Sequence, residues 1–145
     1  MRVEEFVRIL LVENVNEAIL DRFDEILTLI PELEPMEDFD QNNRYHVHDV
    51  LNHTLEVLKH TKADLVLRLS ALFHDIGKPH TYSIDEHGKG HFYGHGDVSV
   101  RITKVILERL EFDKDIIDDV LALITYHDYP IYLREKPLKK LLSKL

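Results

Sequence analysis

Histidine and aspartate stand side by side at His74-Asp75, within LSALFHDIGKPH (residues 69–80). Neutral imidazole and ionised carboxylate, the forms these groups take near pH 7, are the donors that hold a divalent metal ion. Further candidates frame the pair: His53 upstream, then His95 and a second pair, His127-Asp128, downstream. An ion held by such groups acidifies water and polarises a phosphoryl oxygen, which is the chemistry of phosphate-ester hydrolysis. Lys78, just past the pair, and Arg101, further on, are cations able to hold a substrate phosphate. The dipeptide alone carries little weight. With 10 His and 14 Asp in 145 residues, chance gives about one His-Asp pair, and the chain has three, counting His48-Asp49. The middle pair is set apart by its surroundings, an apolar run before it and Ile-Gly-Lys-Pro after it.

These side chains sit on separate segments, so the fold must bring them together. The hydrophobic pattern is helical almost throughout. Ile19, Phe23, Ile26, Leu27 and Ile30 fall at helical spacing over residues 16–30, before Pro31 and Pro35 interrupt. A helix over about 47–59 presents Val50, Leu51, Thr54, Leu55 and Leu58 as its apolar set, while His46, Asp49, His53, Val57 and His60 follow steps of three or four along one face. Residues 64–76 are apolar on most sides, which predicts a buried central helix ending near Gly77, read as a C-terminal cap, with Pro79 forbidding continuation. Adjacent residues on a regular helix diverge by about 100°. A pair at the helix end can turn both side chains toward one ion. TYSI and HFY, around Asp-Glu-His-Gly-Lys-Gly, predict a small hairpin within residues 81–93. Asp97 is expected to cap a helix to about Leu110, and Asp113 another over 115–126. Residues 134–144 form a basic tail with Leu138, Leu141 and Leu142 on one side. The expected fold is all-α, a compact bundle of six or seven helices with a hairpin or loop excursion near residues 81–93. Residues 1–145 read as one domain, with 1–30 a helical region packing on the rest.

Composition narrows the chemistry. There is no cysteine, so disulfides and thiolate-held zinc are excluded and any metal must be held by nitrogen and oxygen. Such donors suit Mn, Fe, Co, Ni or Zn, and carboxylates also suit Mg. A formal net charge of −9 argues against direct gripping of nucleic acid through its phosphates. No apolar run approaches membrane-spanning length, and MRVEEFVRIL is too acidic for a signal peptide, so a cytoplasmic location is the default expectation.

HTLEVLKH, ALFHDIGKP, GHGDVS and LITYHDYPI resemble the successive motifs of the HD domain superfamily of metal-dependent phosphohydrolases. One branch resembles the chain more closely. PELEPMEDFDQNNRYHVHDVLNHTLEVL and HDIGKPHTYSIDEHGKGHFYGH are similar to the HD region C-terminal to the nucleotidyltransferase head of bacterial CCA-adding tRNA nucleotidyltransferases, over roughly residues 26–145. The resemblance implies metal ligands at His53, His74 and Asp75 and at a final Asp, for which Asp128 stands. In many members that Asp lies on a later helix, so either Asp128 serves or water completes the site. Two-metal members carry further histidines that match His95 and His127, which can alternatively act on the substrate side.

The expected function is metal-dependent hydrolysis of a nucleotide or related small phosphate ester, of phosphomonoesterase or cyclic phosphodiesterase type. Asp75 and Lys78 are its expected catalytic residues, and Lys78 and Arg101 its phosphate binders. Two other readings fit the same residues. One is a catalytically weak HD-type module that binds nucleotide or metal. The other is a fragment of a tRNA nucleotidyltransferase without its catalytic head, since no Gly-rich loop with paired aspartates occurs here and CCA addition is not expected of this sequence.

Overall fold

The computed structural model describes residues 1–37 and 50–126. Among them the chain forms α1 (Val3–Leu11), α2 (Val15–Asp21), α3 (Phe23–Leu29), a 3-10 turn (Pro31–Met36) and α4 (Val50–Lys59). It continues with α5 (Leu65–Phe73), a one-turn α6 (Lys78–Thr81), β1 (Tyr82–Ile84), β2 (Gly90–Phe92), α7 (His95–Arg109) and α8 (Lys114–Tyr126). The architecture is an all-α bundle with one small antiparallel hairpin, as the sequence pattern predicts.

The central element is α5. Asp64 opens it as an N-cap whose carboxylate accepts from the Leu67 N–H at 3.0 Å. Every residue from Leu67 to Phe73 is buried, and α1, α4 and α8 pack around it. Phe6 and Leu10 of α1, Ile19 of α2, Ile26 of α3, Leu58 of α4 and Val120 of α8 join Leu69, Leu72 and Phe73 in one core. Full burial of each such side chain contributes about 1.5–3 kcal/mol.

Arg68 is the exception in that apolar helix. It is 4% exposed, and its guanidinium donates to the carbonyls of Thr61 (3.0 and 3.1 Å), Leu10 (2.8 Å) and Val12 (2.5 Å). These carbonyls lie at or just past the C-terminal ends of α4 and α1, where helix dipoles favour a cation. Arg68 thereby fastens α5 to both neighbours.

Several expectations are revised. The single helix expected over 16–30 is two, broken at Arg22, whose side chain donates to Glu25 of α3 at 2.6 Å and Glu5 of α1 at 3.1 Å. This break and the separate helix α6 raise the number of helices to eight among the described residues. Pro79 does not end helical structure. It sits in the first turn of α6, where a missing N–H costs nothing. Asp97 is the third residue of α7 and not its cap, which is Gly94 in the left-handed region with φ 75°. The start of the helix expected over 47–59 and the basic tail lie outside the described residues.

The hairpin pairs Tyr82 with Phe92, Ser83 with His91 and Ile84 with Gly90. Its turn is organised by Asp85, whose carboxylate accepts from the N–H groups of His87 and Lys89, both at 2.9 Å, and meets His91 Nε2 at 2.7 Å. Two residues after the hairpin, past Tyr93 and Gly94, α7 begins at His95.

Candidate metal centre

The helix α5 ends at Phe73, one residue before the His-Asp pair, and residues 74–77 form a tight turn. The His74 backbone keeps helical angles (φ −60°, ψ −29°), and its side chain meets that of Asp75 in this turn: His74 Nε2 lies 3.0 Å from Asp75 Oδ2. His53 of α4 approaches the same oxygen at 3.6 Å and Lys78 Nζ at 3.2 Å, while His95 Nε2 stands 3.6 Å from Oδ1. One ligand atom each from His53, His74 and Asp75 lie within 4.8 Å of one another.

The environment of each group suits a cation. Asp75 is 2% exposed, yet its Oδ1 has no hydrogen-bond partner, a costly state for a buried carboxylate. Burial pushes its carboxyl up, but the hydrogen bond and charge of His74, with Lys78 beside it, outweigh that and hold it well below the usual carboxylate range. It is therefore ionised at neutral pH. Burial pushes the His53 imidazole down, against the pull of Asp75, which favours the neutral form that binds a metal.

The tautomers fit as well. His74 Nδ1 is 2.6 Å from the Ala71 carbonyl and His95 Nδ1 is 3.0 Å from that of Phe92, so both rings donate from Nδ1. In the neutral ring this leaves the Nε2 lone pair of His74 facing a carboxylate oxygen at 3.0 Å. Two acceptors so close require a shared positive species, either a second ring proton or a metal ion. A ligating histidine characteristically anchors its other ring nitrogen on a carbonyl in this way. The residues present therefore fit a divalent ion.

The turn is held in place by Gly77. A Cβ there would lie 2.5 Å from the His95 carbonyl oxygen and 2.7 Å from the Ser99 nitrogen, so only glycine lets the turn and α7 approach. The C-cap of α5 is His74, so Gly77, with φ −80°, is not the cap read from the sequence; close packing is what requires it. Its N–H donates to Ser99 Oγ at 2.8 Å.

The HD domain family profile matches residues 44–144, more than half of the chain. The chain belongs to the HD domain family. Among curated relatives, the CC-adding tRNA nucleotidyltransferase of Thermus thermophilus is 33% identical over 86% of this chain and 30% of its own length. The A-adding tRNA nucleotidyltransferase of Deinococcus radiodurans is 35% identical over 68% of this chain and 24% of its own. The multifunctional CCA protein of Nitrosococcus oceani is 34% identical over 79% and 30%, respectively. The chain thus spans less than a third of the length of the relatives it matches. No solved structure matches it.

Of the HD domain's expected site residues, the structure gathers His53, His74, Asp75, Lys78 and His95. His127 and Asp128 lie outside the described residues. Arg101 is exposed on α7 and lines a shallow groove with Asp97, Val100 and Thr125, not the surroundings of Asp75. Sequence reasoning missed Ser99. Its only signal was the position in GHGDVS, one helical turn after His95. Beside the cluster, a cavity of about 500 Å³ shares His53 and His74 and is walled by Val57, Ala71, Leu123 and Ile124. No helix among the described residues is long and apolar enough to cross a membrane.

Proposed function

We propose that this HD domain is a metal-dependent phosphohydrolase acting on a nucleotide or a related small phosphate ester. The observation that carries the reading is the convergence of His53, His74 and Asp75 on one point, with a buried carboxylate oxygen lacking a hydrogen bond. A divalent ion bound there supplies Lewis-acid chemistry toward water and the phosphoryl group. His53 and His74 contribute ring nitrogens, and Asp75 contributes charge. Asp128 is proposed to fill a further position, with water as the alternative.

The remaining roles belong to residues around the carboxylate. Lys78, 3.2 Å from Asp75 Oδ2, can pair its ammonium with a substrate phosphate oxygen and neutralise charge that develops there. His95, oriented through Phe92, faces the same carboxylate from the hairpin side and is proposed as a substrate-side group or second-metal ligand, together with His127. The adjoining cavity has the size of a small-molecule site and a mostly apolar wall, suited to the organic part of a phosphate ester.

A second reading has its own support. The relatives named above are tRNA nucleotidyltransferases, matched over 24–30% of their length. On that reading the HD domain serves within a larger tRNA-processing enzyme. The deciding experiment is steady-state hydrolysis of a nucleotide panel and a generic phosphatase substrate with added Mn, Co, Ni or Mg. Turnover that needs the metal supports the hydrolase, with Lys78→Ala mainly raising KM. Metal binding without turnover on any substrate instead favours a binding module.

A further inference from the structure

We propose that Ser99 is the positioning residue of the metal centre, a role that rests on the metal-binding reading of His53, His74 and Asp75. Ser99 is fully buried on α7, and its hydroxyl accepts from the Gly77 backbone. What it does is join the two segments that build the centre. Within the turn, Ile76 N–H donates to Phe73 O at 3.1 Å and Lys78 N–H to Asp75 O at 3.0 Å. The Gly77 N–H between them is directed out of the turn to Ser99 Oγ, 22 residues away, at 2.8 Å.

The connections form a closed ring. Asp75 is two residues before Gly77, Gly77 is bonded to Ser99, Ser99 lies one helical turn after His95, and His95 Nε2 returns to Asp75 Oδ1 at 3.6 Å. The ring is short and stiff because Gly77 and α7 meet backbone to backbone. Only a small side chain with an acceptor oxygen serves here. Alanine would leave the Gly77 N–H buried without a partner, in a turn whose placement sets the direction of the Asp75 carboxylate. Groups that orient metal ligands from behind typically change metal affinity by about 10–100-fold when removed.

The test uses the full chain, with Co2+ as the probe metal for calorimetry and visible absorption. Ser99→Ala should bind Co2+ about 10–100-fold more weakly than wild type, with an altered cobalt absorption band and retained helical circular dichroism. Ser99→Thr, which keeps the oxygen, should restore affinity to within about threefold if the clasp acts through that oxygen. Val120→Ala, a buried core truncation in α8, should lower thermal stability without moving Co2+ affinity. Wild-type affinity in Ser99→Ala, or an equal loss in Val120→Ala at matched loss of stability, would overturn the role. Amide exchange at Gly77, measured by NMR without metal, tests the clasp separately. It should be slow in wild type and about tenfold faster in Ser99→Ala, the loss of one hydrogen bond. Failure of the wild type to bind any Co2+ would count against the metal reading and remove Ser99's role with it, whereas unchanged Gly77 exchange would refute the clasp alone.

Discussion

Replacing Gly77 with alanine sets two effects of opposite sign against each other. The backbone there has φ −80° and ψ −13°, which any L-residue adopts, so alanine restricts the unfolded chain and gains about 0.4–1 kcal/mol. Against this stand the contacts of the new methyl group: 2.5 Å to the His95 carbonyl oxygen, 2.7 Å to the Ser99 nitrogen and 2.9 Å to Ser99 Oγ. Ordinary contact begins near 3.4 Å, so the first two fall short by about 0.9 and 0.7 Å. Both are backbone atoms in the opening turns of a 15-residue helix and cannot rotate aside. Either α7 or the turn must move, and overpacking of this kind costs about 1–3 kcal/mol. The two ranges leave a net loss of about 0–2.6 kcal/mol, and shortfalls this large against fixed backbone place it at about 1–2 kcal/mol. In a domain of this size that is roughly 3–6 °C in Tm. Urea unfolding should show a lower midpoint at unchanged slope. Because the displaced atoms belong to His95 and Ser99, Co2+ affinity should fall in the same variant. A Gly77→Ala protein as stable as wild type, or more so, would refute the packing role assigned to this glycine.

Arg68→Met should cost about 3 kcal/mol in urea unfolding, because the buried carbonyls of Thr61 and Leu10 and the partly buried carbonyl of Val12 lose their donor; a change below about 1 kcal/mol would show that methionine packing compensates. The ion pair of Glu32 with Arg109 ties the 3-10 turn to α7. The hydrogen bond from Arg109 lowers the Glu32 carboxyl below its usual value, burial opposing. Its stabilisation is thus present above about pH 4.3, the unfolded value, and lost as pH falls through the lower folded one. Glu32→Gln should therefore lose up to about 1 kcal/mol at pH 7 and converge on wild type once the pH falls below the lowered folded value, as measured by chemical unfolding at each pH.

The all-α class and the central place of α5 were legible because burial on every side leaves a plain mark: an apolar run with few polar interruptions. The hairpin was legible for another reason, the turn residues Asp85 and Gly88 between short runs of β-formers. Helix limits were less so. At the break, Arg22 bonds Glu5, 17 residues away, and no local pattern encodes that partner. Gly77 was conspicuous but misread, because a glycine required by a helix 18 or more residues downstream looks the same in sequence as one required by its own φ. The convergence of His53, His74 and Asp75 followed from motif order. The place of Ser99 did not, since a buried serine hydroxyl that serves a remote backbone N–H has no signature of its own.

The central claim is that His53, His74 and Asp75 together hold a divalent cation. Titration of the metal-stripped chain with Mn, Co, Ni, Zn and Mg by calorimetry, repeated on Asp75→Ala with circular dichroism to verify its helices, tests it most directly. The account predicts saturable binding of at least one of these ions by wild type and its loss in Asp75→Ala with the helical signal intact. Binding by the variant equal to that of wild type, or no binding by wild type to any of the five, would contradict it.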